Sequence, residues 1–141
     1  MLRDERQVAI NEVVEALLEA AHVHEQGADL LEDREPKPAL RALAERRRQA
    51  AVELGEHVRR LGDLPSEPDA DVQTARDVLA RLQLALAEDE REEILEHSRA
   101  AEVDLAEKVH AALEEDLPAD TRMVLEDLLT VPELAAALGP G

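Results

Sequence analysis

EEILEHSRAAEVDLAEKVHAALEEDLP, residues 92–118, is the longest uninterrupted helical pattern in the chain. At 100° per residue, Ile94, Ser98, Ala101, Leu105, Val109 and Ala112 share one face, and Glu102 falls among those inward positions. Asp89 followed by Glu92 is an Asp-x-x-Glu start of capping-box type. Pro118 ends the pattern and opens a shorter helix that reads through Leu129. A long amphipathic helix with one carboxylate on its apolar face raises the functional question directly: metal ligand, or member of a buried polar pair.

Three further helices precede it. The first reads from Glu5 to Leu31, with Ile10, Val13, Val14, Leu17, Ala21, His24, Ala28 and Leu31 on one face. Gly27 lies beside that face. Glycine inside a helix costs about 1 kcal/mol relative to alanine, so close approach of another helix is expected there. The second reads from Ala39 to Leu61, with Pro38 in its first turn and Gly62 as its stop. Its stripe is Leu40, Leu43, Ala50, Ala51, Leu54, Val58 and Leu61, with Arg47 among them. The third reads from Asp71 to Ala87 with Val72, Ala75, Leu79, Leu82 and Leu86 as its expected core face, and Arg76 and Gln83 near it. The Asp63–Asp69 run between the second and third helices, with its two prolines, is long enough either to cross a bundle or to turn at one end. Thr130-Val-Pro-Glu133 is a further capping signature before a last turn or two. These patterns predict an all-α, single-domain bundle over residues 1–138, with four long helices, a short additional C-terminal helix and a flexible tail at 139–141.

Composition narrows the function classes. The chain has 141 residues and a formal charge of -18, which argues against nucleic acid and anionic membrane surfaces as partners. No aromatic residue is present, so there are no stacking platforms for single-stranded nucleic acid, and the core must be built from Leu, Val, Ile and Ala. Without cysteine there is no disulfide, thiolate nucleophile or zinc–cysteine site. The absence of a signal-like start and of a long apolar run leads to the expectation of a cytoplasmic protein. Serines and threonines occur without histidine and acid at a recognisable motif spacing, and no glycine-rich phosphate loop exists.

With the helices laid out, the chain resembles a known family. Ile94-Leu95-Glu96, Ala101-Glu102-Val103, Ala112-Leu113 and Leu117-Pro118, together with the first-helix pattern around Gly27 and the Leu61-Gly62 close of the second, are similar to the small bacterial ferritin-like proteins grouped as domain of unknown function 2383. The resemblance spans roughly residues 8–130, and it implies a ferritin-like four-helix bundle. Aromatics that members carry near Ala28, Ala50, Leu79 and Val109 are aliphatic here.

Ferritin-like folds place a di-iron centre on two lone Glu residues and two Glu-x-x-His pairs. Glu19-Ala-Ala-His22 and Glu107-Lys-Val-His110 have that spacing. Their phase turns them away: Glu19 and His22 lie about 160° and 140° from the Leu17 direction, and Glu107 and His110 lie equally far from Leu105. What remains for a single iron or manganese site is His24, Glu25 and Glu102, carboxylate and imidazole being suited to those cations. The opposing reading is a satisfied polar network: His24 level with Arg47 across the first interhelical loop, and Glu102 paired with Arg76. The chain thus reads as a non-catalytic bundle, with no further cofactor, acting through self-association or a protein partner. An iron- or manganese-binding protein or di-iron oxidase is the rival that the resemblance implies. A protective stress-related role is suggested by acidity alone.

Overall fold

A computed structural model describes residues 4–31, 36–130 and 138. The described residues form five α-helices, α1 (Glu5–Leu30), α2 (Lys37–Arg60), α3 (Ala70–Leu86), α4 (Glu90–Leu113) and α5 (Ala119–Asp127). Their boundaries follow local chemistry. Asp4 caps α1 by accepting from Gln7 N, and the Gln7 side chain accepts from Asp4 N in return. Asp69 and Asp89 cap α3 and α4 in the same way through backbone N–H groups of the first turn. Gly62 ends α2 with φ of +86°, a left-handed conformation that a side chain would strain. The Thr130–Glu133 signature and the 139–141 tail fall largely outside the described residues.

Helices α1, α2 and α4 pack closely and supply most of the core. One apolar cluster gathers Ile10, Val13, Val14 and Leu17 with Leu54, Val58, Leu105, Val109 and Leu125. A second, at the other end, gathers Ala28 and Leu31 with Leu40, Leu43, Ile94 and Leu95. The inward faces expected for these three helices are therefore the ones buried, Glu102 included. Gly27 supplies the close approach: a Cβ there would meet Ile94 Cγ2 at 2.9 Å, so α4 lies against the bare backbone of α1.

The link between α2 and α3 turns at one end of the bundle. Gln7 Nε2 donates to Leu61 O at 2.6 Å, Asn11 Nδ2 donates to Leu64 O at 2.8 Å, and Ser66 N donates to Asn11 Oδ1 at 2.7 Å. These bonds pin the link to the N-terminal half of α1. From there α3 runs beside α1 in the same direction, Arg76 pairing with Glu19 and Asp77 with His22. The helices consequently alternate in direction. A ferritin-like bundle uses one long crossover, so the connectivity departs from the ferritin-like expectation at this link.

The third helix is where expectation and structure part. Its half-buried and buried positions are Gln73, Asp77, Ala80 and Leu84. Val72, Leu79, Leu82 and Leu86 are 44%, 56%, 58% and 86% exposed. The two sets are centred about 150° apart on the helix. Thus α3 turns Gln73, Asp77, Ala80 and Leu84 to the bundle and leaves its apolar stripe exposed, with Val72 and Leu79 at the edge of the clefts beside α1. The expected core face is not core. The reason lies in its tethers: His22 and Glu19 of α1 offer polar partners that the Leu stripe has none for, so Asp77 and Arg76 decide the rotation.

The close approach at Gly27 has a direct consequence. Gly27→Ala gains about 1 kcal/mol in helix propensity but forces the Ile94 methyl away, and overpacking of this kind costs about 1–3 kcal/mol. Chemical denaturation should show a net loss of stability for Gly27→Ala. In the Ile94→Ala background the same change should be neutral or stabilising.

Candidate functional site

Between the two apolar clusters lies a single polar layer built from one residue of each core helix. Periodicity accounts for all three: His24 follows Leu17 and Ala21 on the stripe of α1, Arg47 follows Leu40 and Leu43 on α2, and Glu102 precedes Leu105 and Val109 on α4. His24 is 0%, Arg47 1% and Glu102 9% exposed. His24 Nε2 donates to Glu102 Oε2 at 2.8 Å, and Arg47 Nε donates to the same oxygen at 3.1 Å. Arg47 Nη2 donates to Glu102 Oε1, completing a two-pronged guanidinium–carboxylate pair. Arg47 Nη1 also reaches the Leu128 carbonyl at 3.5 Å, just beyond α5.

Burial raises the Glu102 pKa, and the hydrogen bonds from His24 and Arg47 with the Arg47 charge more than reverse this, holding the carboxyl below its ordinary range. The carboxylate is thus anionic, with two hydrogen bonds on Oε2 and one on Oε1. His24 Nδ1 and Ser98 Oγ are buried without a hydrogen-bond partner among the described residues.

His24 and Glu102 are brought together, as a metal reading of them requires. Glu25 is not: it lies half-exposed on α1 and forms an ion pair with Arg48. Among the described residues no group of three His, Cys, Asp or Glu is placed to hold a metal ion. The donor set does not fit iron or manganese, because both Glu102 oxygens already accept from a guanidinium whose charge repels a cation. The partner expected for Glu102 is corrected as well. Arg76 pairs with Glu19 at 3.1 Å and is 61% exposed, since α3 turns it away from α4. Arg47 takes its place. The two Glu-x-x-His pairs lie outside the layer, with Glu107 and His110 exposed and Glu19 and His22 bonded to α3.

Two polar features, the docking of α5 and the tether of the link after α2, have no partner named by the sequence. His57 Nδ1 meets Thr121 Oγ1 at 2.7 Å, and Arg60 pairs with Asp120 at 2.8 Å, docking α5 onto the end of α2. Asn11, which holds the interhelical link, is the other. Position beside an apolar stripe marks Asn11 and His57 as half-inward, but nothing in the sequence names their partners.

A groove of about 500 Å³ separates α3 from α1 and α4, lined by His22, Val23, Leu79, Leu84, Ile94 and His97 among others. It exists because α3 stands off the core. Among the described residues no helix is long and apolar enough to cross a membrane.

Comparison with known proteins returns one family, described as Domain of unknown function (DUF2383), which matches residues 7–115. No curated protein and no solved structure matches.

The layer makes two predictions. Glu102→Gln leaves the Arg47 charge buried without a counter-charge and should cost about 3–5 kcal/mol in denaturant unfolding. Arg47→Met with Glu102→Leu should recover most of that loss, because apolar replacement of a buried ion pair is often neutral or stabilising. The pH dependence follows from the depressed Glu102 value. Its stabilisation is present above the unfolded-state carboxylate pKa of about 4.3 and is lost as the pH falls through the lower native value. The stability gap between wild type and Glu102→Gln should therefore narrow on acidification below about pH 4.

Proposed function

The chain belongs to the family described as domain of unknown function DUF2383, and from that premise we propose that it is a non-catalytic helical bundle that acts by docking through the outer face of α3. The observation that carries this reading is the exposed apolar stripe of Val72, Leu79, Leu82 and Leu86. Contiguous apolar surface of this kind on a soluble domain marks interaction sites. The polar layer supports the same reading from the other side, since its carboxylate, guanidinium and imidazole are already bonded to one another. Fold alone assigns no activity, and no nucleophile–base pair or phosphate loop is written in the sequence.

If the stripe is surface, making it polar should leave the fold intact. The double variant Leu79→Gln/Leu82→Gln should unfold within about 0.5 kcal/mol of wild type. Leu105→Ala, in the core, should cost about 2–5 kcal/mol. A loss of several kcal/mol for the α3 variant would make the stripe core and end the docking reading.

The rival, an iron- or manganese-binding ferritin-like protein or di-iron oxidase, has the buried His24–Glu102 pair on its side. Arg47 in the same layer stands against it. Protein purified from cells grown with iron and manganese should carry far less than one metal per chain, with the melting curve unchanged by either metal. About two irons per chain, with oxidation of ferrous iron, would reverse the order of the two readings.

A further inference from the structure

We infer that the partner of the α3 face is a second copy of this chain, joined through an antiparallel α3–α3 pair; this rests on the docking reading above and specifies its occupant. The outward residues Val72, Ala75, Leu79, Leu82 and Leu86 are spaced three and four apart in strict alternation, the a/d pattern of a coiled-coil seam. All five are exposed, Val72 and Leu79 also bordering the clefts between α3 and α1. The seam is symmetric about Leu79. In an antiparallel pair Leu79 meets its own copy, Ala75 lies opposite Leu82, and Val72 lies opposite Leu86, so small residues face large ones and the contact closes on a two-fold axis. A parallel pair would set Ala75 against Ala75 and leave a gap.

Charge selects the same occupant. The whole chain carries -18, yet α3 holds two acids, Asp71 and Asp77, and two bases, Arg76 and Arg81, for a net charge of zero. The neutral helix is therefore where a second acidic copy meets the least repulsion, and it offers a cationic partner no excess of acid. Flanking the seam within α3, Arg76 and Gln83 lie on one side and Asp71, Val78 and Ala85 on the other. Antiparallel pairing thus sets Arg76 near Gln83 and Asp71 near Ala85, while Asp69, Glu88 and Asp89 come together at the helix ends and oppose the pair. Seventeen residues make a helix about 25 Å long. Such a contact is at the small end of specific interfaces, and the dimer is accordingly weak and concentration-dependent. Because the two bodies repel, added salt strengthens it by screening.

The chain contains no cysteine, so single cysteines report the contact cleanly. Under mild oxidation Leu79→Cys should form a disulfide-linked dimer, in a yield that rises with protein concentration and with salt. Val72→Cys should not, because antiparallel pairing holds the two copies of residue 72 about 21 Å apart along the axis; a mixture of Val72→Cys and Leu86→Cys chains should cross-link. Sedimentation of wild type from micromolar to near-millimolar concentration should show monomer passing to dimer, and Leu79→Gln/Leu82→Gln should stay monomeric. Maleimide labelling of Leu79→Cys separates the ways of failing. Rapid labelling at every concentration, with wild type monomeric throughout, would overturn the second copy as occupant and leave the docking face standing for another protein. Protection of the thiol in dilute monomer would overturn both, because α3 or another segment of the same chain would then cover the stripe. Cross-linking of Val72→Cys as readily as Leu79→Cys would overturn the antiparallel pairing.

Discussion

The Glu102 carboxylate, held at once by Arg47 and His24, is the constraint on which the bundle depends. It draws one residue from each of α1, α2 and α4 into one plane, with an apolar cluster on either side. Small aliphatic cores tolerate sliding, because one leucine replaces another at little cost in shape. A buried guanidinium does not, since moving any of the three helices by a turn leaves a charge without its partner. In a core without aromatics the polar layer therefore supplies the register that large rigid side chains supply elsewhere.

The same layer shapes what the protein can do. The carboxylate accepts from imidazole and guanidinium on Oε2 and from guanidinium on Oε1, which leaves a single lone-pair site, and the adjacent arginine charge raises the cost of a cation there. The buried Glu102 carboxylate is thus occupied by its ion pair with Arg47 and its hydrogen bond from His24. The unusual surface is elsewhere, on α3, which touches the core chiefly through Leu84 and through polar tethers to α1. The interior is tightly matched at Gly27 against Ile94, whereas the α3 side is open enough to leave a groove. Rigidity and availability for contact are thus divided between two parts of the fold.

Much of this was legible in the residues. Asp89 before Glu92, Pro38 in a first turn and Gly62 after Leu61 mark helix ends through local backbone chemistry, which depends on nothing distant. The inward positions of His24, Arg47 and Glu102, and the outward positions of Glu107 and His110, follow from helical phase alone. The partner of Glu102 did not follow. Arg76 and Arg47 lie at comparable levels along their helices, and only the rotation of α3 removes one of them. Glu25 is next to His24 in sequence but lies on another side of the helix cylinder, where it pairs with Arg48 rather than joining Glu102.

The sequence by itself determined where the helices begin and end, which face of α1, α2 and α4 is apolar, and that a carboxylate, an imidazole and a guanidinium sit on those faces. These are properties of a chain segment and its own 3.6-residue repeat. Tertiary structure alone decided that the link after α2 turns at one end, that Glu102 takes Arg47, and that α3 carries its apolar stripe outward. Phase places a side chain on its own helix but does not say which neighbour stands there, or whether any does. For α3, polar contacts from α1 claimed one side of the helix, and the apolar seam was left to whatever meets it from outside.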